Sequence, residues 1–187
     1  MAKLAVFASG SGSNFEAIAR RIGLSRHKIC CMICDRRSTG AFERADRLGI
    51  PAYYVCYKGR ERGEAEAEIS RVVDESGADL IALAGFMRLL TPAFIDSYQD
   101  RIINIHPSLL PKYPGTQGIA DSFNSEDPEL GITIHRVDYG LDTGPIIMQK
   151  SFKRRGDEPL EEIESEIHKL EHTWYPAALI EILDSIA

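Results

Sequence analysis

The sequence predicts an α/β fold in which helices cover both faces of a mostly parallel, twisted sheet. Short apolar segments alternate with helical patterns over roughly the first hundred residues, and this alternation is typical of parallel strands joined by right-handed crossovers. The segment Leu80–Ala84 is apolar throughout, as expected for a strand in the centre of such a sheet. After residue 105 the alternation ends. We therefore expect a single domain with a Rossmann-like first half (residues 1–100) and a differently built second half (residues 101–187).

Five strands and four helices are predicted up to residue 105. The predicted strands are Leu4–Ala8, Ile29–Cys34, Ala52–Cys56, Leu80–Ala84 and Ile102–Ile105. The predicted helices between them are Asn14–Ile22, Ala41–Leu48, Glu61–Ser76 and Pro92–Tyr98. The first helix carries apolar residues at helical spacing on one face, namely Phe15, Ile18, Ala19 and Ile22. Gly49 and Gly77 indicate where the second and third helices end, because glycine readily adopts the left-handed conformation of a helix C-terminus.

A short helix and a β-hairpin are predicted next. The helix covers Gly118–Asn124, and the two strands cover Gly131–Val137 and Ile146–Gln149. The strands are close enough in sequence to pair as an antiparallel hairpin around Asp138–Pro145.

A long C-terminal helix is predicted from about Pro159 to Ile186. Asp157 and Glu158 place carboxylates at its N-terminal end, where the helix dipole favours negative charge. Pro176 has no backbone N–H, so we expect it to break or kink the helix near Tyr175.

Composition and charge argue against two classes of protein. The chain has 187 residues, of which 44% are hydrophobic, and its formal net charge is −6. This charge argues against broad nucleic-acid binding, which needs clustered Lys and Arg, whereas a backbone loop could still bind a small anion. No apolar run approaches the length of a membrane span, and the N-terminal apolar run is too short for a signal peptide. We therefore expect a cytoplasmic protein that binds neither nucleic acid nor membrane.

No metal site is predicted. Cys31 and Cys34 have Cys-x-x-Cys spacing but lie inside a predicted strand, whereas redox pairs lie at helix starts and zinc ligands come from turns. His168 and His172 are one turn apart on a predicted helix, without the glutamate of an HExxH motif. We therefore expect reduced, structural cysteines and no bound metal.

A glycine-rich loop, Ser9–Asn14, separates the first strand from the first helix. Backbone N–H groups at such a helix N-terminus favour a bound phosphate. Phe15 stands where a dinucleotide motif has its third glycine, and the loop has no Walker lysine. The loop therefore favours a phosphate monoester, and we expect Gly12 to let the backbone approach it closely. The alternative is a plain tight turn with a Ser or Asn helix cap.

Candidate catalytic groups follow the fifth strand. Asn104 and His106 lie two residues apart in Asn-Ile-His-Pro-Ser-Leu-Leu-Pro, so they point the same way if the strand continues to its end. Asp142 lies in a Leu-Asp-Thr-Gly-Pro segment. His106 could alternatively be a hydrogen-bonded core histidine, and Asp142 only a turn residue. The segment Gly85–Pro92 could line a pocket for a flat heteroaromatic ligand or simply pack in the core.

Together these motifs resemble the folate-dependent formyltransferases, in particular the phosphoribosylglycinamide formyltransferases. The resemblance covers nearly the whole chain and rests on the segments Ser9–Asn14, Ala84–Arg88, Asn104–Gly115, Asp142–Pro145 and Glu171–Pro176. It implies a mostly parallel sheet of about seven strands with flanking helices, in agreement with the alternation of strands and helices.

The resemblance also implies roles for individual residues. The residues that correspond to the catalytic groups are Asn104, His106 and Asp142. The phosphate site corresponds to Gly12, Ser13 and Asn14. A contact with the glycinamide ribonucleotide corresponds to Glu171. The residues that correspond to the formyl-folate site are Arg62, Met87, Arg88, Leu89, Leu90, Asn104, Asp138, Tyr139, Gly140, Leu141 and Asp142. The implied co-substrate is 10-formyltetrahydrofolate, the ligands are small molecules without a metal, and a homodimer is left open.

A mechanism follows for these residues. Asn104 and a protonated His106 would donate hydrogen bonds to the oxygen that becomes negative when an amine attacks the formyl carbon. Asp142 would raise the pKa of His106 and collect the proton that the amine loses.

The chain departs from the family at one motif. Many members carry a His-x-His pair after the Pro-Gly, where this chain has Thr116-Gln117-Gly118-Ile119. The resemblance implies that the chain transfers the formyl group of 10-formyltetrahydrofolate to the amine of 5′-phosphoribosylglycinamide in purine biosynthesis. The alternatives to this activity are another formyl-folate-dependent transferase or hydrolase, and a non-catalytic module that binds a phosphosugar.

Overall fold

A computed structural model of the chain describes residues 1–186. The strands are β1 (Lys3–Ala8), β2 (Lys28–Cys34), β3 (Ala52–Tyr54), β4 (Leu80–Leu83), β5 (Ile102–His106), β6 (Glu129–Arg136) and β7 (Ile146–Lys153). The helices are α1 (Ser13–Ile22), α2 (Gly40–Leu48), α3 (Arg62–Ser76), α4 (Pro92–Ser97), α5 (Gly118–Phe123) and α6 (Leu160–Ile186). Each predicted element is present, with boundaries shifted by a few residues.

One sheet contains all seven strands, in the order β3-β2-β1-β4-β5-β6-β7. The first five strands are parallel, β6 runs antiparallel to β5, and β7 runs antiparallel to β6. The predicted parallel sheet and antiparallel hairpin are therefore confirmed. The β5–β6 pairing has consequences for the site because its register sets Asn104 opposite His135.

Two apolar cores lie on opposite faces of the sheet. Along β1, Leu4, Val6 and Ala8 belong to the core under α1, α2 and α6, and the intervening Ala5 and Phe7 belong to the core under α3 and α4. This alternation is the period of two expected when both faces of a strand are buried. The prediction of helices on both faces is confirmed.

Of the break or kink predicted near Tyr175, the break is wrong, because α6 is one continuous helix from Leu160 to Ile186 with Pro176 inside it. A proline removes one backbone hydrogen bond, and the carbonyl that loses its partner belongs to His172, at an exposed position. The buried face on either side of Pro176 holds the helix together: Ile167, Tyr175 and Leu179 are all 0% exposed. Tertiary packing of this face outweighs the local cost of the proline.

Two further sequence expectations concern membranes and cysteines. Among the described residues, no helix is both long enough and apolar enough to cross a membrane. Cys31 and Cys34 are buried in β2 and carry free thiols.

Candidate active site

A cavity of about 700 Å³ opens at the carboxyl ends of β1, β4 and β5. It lies where the strand order changes direction between β1 and β4, since the chain leaves these neighbouring strands toward opposite faces of the sheet. Such a switch point is the usual ligand site of open α/β sheets. The lining includes Gly10–Asn14, Leu83–Leu90, Asn104–Pro107, Gly115–Gln117, Ile119, Ala120, His135, Val137, Asp138, Gly140–Asp142, Glu164, His168 and Glu171.

The structure brings Asn104, His106 and Asp142 together at this cavity. Asn104 and His106 point the same way from the end of β5, as their spacing predicts, and Asp142 comes from the loop between β6 and β7. His106 Nδ1 lies 3.4 Å from Asp142 Oδ2, and Asn104 Nδ2 lies 3.5 Å from Asp142 Oδ1. His106 is 3% exposed, so the three polar groups interact with little screening by water.

The protonation of His106 differs from the sequence expectation. Its Nε2 lies 2.7 Å from the carbonyl oxygen of Tyr113 and therefore donates, because a carbonyl can only accept. Burial lowers the pKa of His106 below its usual value, although the Tyr113 carbonyl and the Asp142 carboxylate act in the opposite direction. Asp142 acts in the predicted direction and raises the pKa of His106, but burial outweighs it, so the expected protonated ring is not the favoured form. The lowered pKa favours the neutral ring, with the unprotonated Nδ1 facing Asp142.

Asp142 is held as a carboxylate. Burial alone would raise its pKa, but the neighbouring imidazoles of His135 and His106 and the backbone N–H of Gly115 together lower the pKa below its usual value. The Gly115 N–H donates to Asp142 Oδ2 over 2.8 Å. The Pro-Gly segment that follows Tyr113 is thereby fixed against the candidate catalytic carboxylate.

His135 completes the polar cluster, and sequence reasoning missed it. Its Nδ1 donates to the Arg136 carbonyl over 2.8 Å, so its Nε2 is free to accept from Asn104 Nδ2 at 3.1 Å. His135 is 2% exposed and fixes the direction of the Asn104 amide. In the sequence, His135 is one residue of an alternating strand pattern. That pattern shows which side chains share a face of β6, but it points to the site only once β6 is known to pair with β5.

The glycine-rich loop (Ser9–Asn14) reaches the cavity beside α6. Asn14 Nδ2 donates to Glu171 Oε2 over 3.0 Å, while the buried Asn14 Oδ1 has no hydrogen-bond partner among the described residues. Glu171 is 5% exposed, and burial raises its pKa although the Asn14 amide opposes this. The loop and Glu171, both predicted for the ribonucleotide, are therefore adjacent.

Gly12 has a structural role that the sequence did not reveal. Its φ is +78°, and a Cβ added there would lie 2.7 Å from the Cα of Ala41 at the start of α2. Glycine is therefore needed for the left-handed backbone and for close packing on α2, whether or not a phosphate is bound.

The segment after β4 divides between core and cavity. Phe86 and Leu90 are buried, whereas Met87 and Leu89 are more than half exposed and line the cavity with Arg88. Both readings of this segment from the sequence therefore apply: Phe86 and Leu90 pack in the core, and the three residues between them face the cavity.

Side chains from other elements hold this segment in place. Ser9 Oγ accepts from the Met87 N–H over 2.9 Å, and the buried Asp35 carboxylate accepts from Arg88 Nε over 2.5 Å. Arg62 donates to the Leu89 carbonyl over 3.1 Å.

Two residues predicted for the formyl-folate site do not line the cavity. Arg62 contacts the backbone of Leu89 instead, and Tyr139 is 65% exposed with its hydroxyl on Asp96. The cavity gains residues that sequence reasoning did not assign: His135, Glu164, His168, Thr116 and Gln117. Glu164, His168 and Glu171 lie on one stripe of α6, at helical spacing.

No group of three or more His, Cys, Asp or Glu side chains within residues 1–186 is arranged to hold a metal ion. The polar groups around Asp142 are instead hydrogen-bonding groups: the Asn104 amide, the imidazoles of His106 and His135, and the Asp142 carboxylate. They can transfer protons and stabilise charge on an oxygen atom.

Comparison with known proteins agrees with the fold. Residues 2–179 match the formyl transferase family, and the chain belongs to this family. It is 43% identical to the phosphoribosylglycinamide formyltransferase of Bacillus subtilis (strain 168), over 98% of this chain and 95% of that protein. The crystal structure of glycinamide ribonucleotide transformylase 1 from Geobacillus kaustophilus superimposes with a TM-score of 0.93 at 41% identity, covering 98% of this chain and 99% of that one.

A longer relative contains a similar region. The trifunctional purine biosynthetic protein adenosine-3 of Drosophila melanogaster is 36% identical over 99% of this chain, which corresponds to 14% of that protein.

Proposed function

We propose that this chain transfers the formyl group of 10-formyltetrahydrofolate to the amine of 5′-phosphoribosylglycinamide in purine biosynthesis. The products are N-formylglycinamide ribonucleotide and tetrahydrofolate, and the reaction takes place in the cytoplasm. The observation that carries this proposal is the convergence of Asn104, His106 and Asp142 in a cavity between the glycine-rich loop and the segment 86–90. The names of the Bacillus subtilis and Geobacillus kaustophilus relatives support it.

The two ends of the cavity suit the two substrates. The glycine-rich loop and the N-terminus of α1 offer backbone N–H groups to a phosphate, and the unpartnered Asn14 Oδ1 offers an acceptor to a hydroxyl or amine. At the other end, Met87 and Leu89 present apolar surface next to the backbone of residues 138–142, which suits a flat ring with polar edges.

The formyl donor supplies an electrophilic carbon on a nitrogen leaving group. Asn104 Nδ2 donates one hydrogen to His135 and lies 3.5 Å from Asp142 Oδ1, a long contact. Its second hydrogen can therefore turn to the oxygen that becomes negative. Such a donor is typically worth about 3 kcal/mol of activation free energy.

The neutral His106 serves as the proton carrier. Its Nδ1 takes the proton that the amine loses as the new C–N bond forms, and the resulting imidazolium is stabilised by Asp142 at 3.4 Å. Returning that proton to the leaving nitrogen as the old C–N bond breaks restores the neutral ring. The number of protons is therefore conserved in each turnover.

The test is a direct assay with Asp142→Asn as the comparison variant. Purified protein with both substrates should give formylated ribonucleotide, followed by the absorbance change at the folate and by mass spectrometry of the product. The variant keeps an oxygen that can accept from the Gly115 N–H, so the loop should stay in place while the negative charge is lost. We expect kcat to fall about a thousandfold because the imidazolium loses its stabilising partner.

Three outcomes would contradict the proposal. Release of formate without ribonucleotide would indicate a hydrolase. Ribonucleotide binding without turnover by the unmodified chain would indicate a binding module. Full activity of Asp142→Asn would remove Asp142 from the mechanism.

A further inference from the structure

The glycine-rich loop rests on the start of α2 as well as on α1. A Cβ added at Gly40 would lie 2.7 Å from the Ser11 carbonyl oxygen, and one added at Gly12 would lie 2.7 Å from Ala41 Cα. Backbone therefore contacts backbone on both sides of this junction. The position of the loop depends on α2, which contributes no residue to the cavity.

Arg44 fixes this junction from the second turn of α2. Its Nε donates to the Ser11 carbonyl oxygen over 2.9 Å, and its guanidinium is paired with the Glu16 carboxylate on α1. One side chain of α2 thus contacts both the loop and α1. The planar guanidinium can make both contacts at once, which a lysine ammonium cannot do in the same geometry.

The bond to Ser11 also sets the direction of a neighbouring N–H group. In a trans peptide the C=O and N–H point in opposite directions, so a Ser11 carbonyl held toward α2 turns the Gly12 N–H away from α2. The loop residues Gly10–Asn14 line the cavity. Arg44 therefore orients a donor group of the loop without entering the cavity.

Arg44 also belongs to a positively charged cluster. Arg20, Arg44 and Arg47 all pair with the single carboxylate of Glu16, so the cluster keeps a net positive charge beside the N-terminus of α1. The charge of Arg44 also acts on His172 of α6. Burial is the main cause of the lowered pKa of His172, and the charges of His168 and Arg44 lower it further. Within this cluster, the contact with the loop is made by Arg44, through the Ser11 carbonyl oxygen.

We propose that Arg44 is a positioning residue for phosphate binding: it holds the Ser11–Gly12 peptide in the orientation that presents N–H groups to the phosphate of the ribonucleotide. This inference rests on the proposed function, because it assumes that the glycine-rich loop receives the phosphate. It predicts an effect on binding of the phosphate-bearing substrate and none on the chemical step.

The experiment compares Arg44→Gln with Arg47→Gln. Both arginines pair with Glu16, but Arg44 alone of the two donates to the loop. Arg44→Gln should raise the KM for the ribonucleotide and the Kd for ribose 5-phosphate about tenfold, because a hydrogen bond from a charged donor is lost. The kcat and the KM for the formyl donor should stay within about twofold, and Arg47→Gln should leave all four constants within about twofold.

Two further variants separate position from charge. Arg44→Lys keeps the charge but cannot make both contacts in the same geometry. It should therefore bind ribose 5-phosphate nearly as weakly as Arg44→Gln does. Gly40→Ala should reproduce the weaker binding without any change of charge, because its new methyl group displaces the Ser11 carbonyl.

The inference is overturned if Arg44→Gln binds ribose 5-phosphate as tightly as the unmodified chain, or if the unmodified chain does not bind it. It is also overturned if Arg47→Gln loses as much affinity, or if Arg44→Lys restores it fully, since charge alone would then explain the effect. Calorimetric binding of ribose 5-phosphate needs no turnover. Failure of formyl transfer with intact binding would therefore refute the proposed function and leave the comparison of Arg44 with Arg47 valid.

Discussion

At the scale of single residues, the proton on His106 decides the order of events in the proposed reaction. Its Nε2–H is engaged by the Tyr113 carbonyl, so Nδ1 is the nitrogen that can exchange a proton beside Asp142. A ring that starts neutral accepts a proton first and donates it later. A ring that starts charged could only donate first. The pKa of His106 in the free protein distinguishes these two orders.

We expect a pKa of His106 below 6.5, because burial disfavours the charged ring. The measurement is an NMR titration of protein labelled at the histidine Cε1 carbon, with the signal assigned by its loss in His106→Gln. Asp142→Asn should lower this pKa further, since the carboxylate favours the charged ring. As pH rises through this pKa the neutral ring accumulates, so kcat/KM should rise and then level off. A pKa above 6.5 would restore the charged-histidine mechanism predicted from the sequence.

The residues of this cluster differ in how far the sequence could reveal them. Asn104, His106 and Asp142 lie in distinctive motifs, so their types and spacing were sufficient to single them out. His135 lies in an ordinary alternating strand, and its role depends on which strand pairs with β5. The net direction of the His106 pKa shift also required structure, because it depends on burial as well as on the neighbouring carboxylate.

At the scale of elements, α6 is attached to the sheet by a buried hydroxyl. Tyr175 is 0% exposed, and its hydroxyl lies 3.0 Å from the Leu83 carbonyl oxygen and 2.9 Å from that of Ile103. These carbonyls end β4 and precede Asn104 on β5. Because Glu171 lies one turn earlier on α6, the same contact fixes its distance from the glycine-rich loop.

We expect Tyr175→Phe to lower the free energy of unfolding by about 1–2 kcal/mol, because the buried carbonyls lose a hydrogen-bond donor. The measurement is urea unfolding with unchanged m-value. Tyr53→Phe on β3 is the matched control, since Tyr53 is 43% exposed and its hydroxyl can bond to water. Equal stability of the two variants would show that the Tyr175 hydroxyl contributes nothing to docking of α6.

The elements themselves were largely predictable because their patterns are local. Strand and helix periods identified every element, whereas the pairing of β6 with β5 depends on contacts between segments far apart in the chain. The continuity of α6 through Pro176 is a related case. The backbone hydrogen bond that Pro176 cannot make disfavours a continuous helix. Burial of the helix face against the sheet outweighs that loss, so the helix continues.

At the scale of the whole molecule, the cavity depends on both ends of the chain. Asn14 and Glu171, which meet at the proposed ribonucleotide end of the cavity, are separated by 157 positions in the sequence. Asp142 meets His106 only because β6 and β7 extend the parallel sheet by an antiparallel pair. A ligand that spans these groups therefore binds only the fully folded chain, so its binding free energy adds to the free energy of unfolding.

We therefore expect the ribonucleotide at a hundred times its Kd to raise the free energy of unfolding by about 2.7 kcal/mol, and the Tm by roughly 5–10 °C. Differential scanning fluorimetry measures the shift, with glycinamide riboside at the same concentration as the phosphate-free control. Asp142→Asn should show the full shift, because its carboxylate stabilises the His106 imidazolium and does not contact the phosphate. Arg44→Gln should need about tenfold more ligand for the same shift. An equal shift with the phosphate-free riboside would mean that the glycine-rich loop contributes no binding energy. Loss of the shift in Asp142→Asn would mean that this carboxylate binds the substrate as well as stabilising the imidazolium.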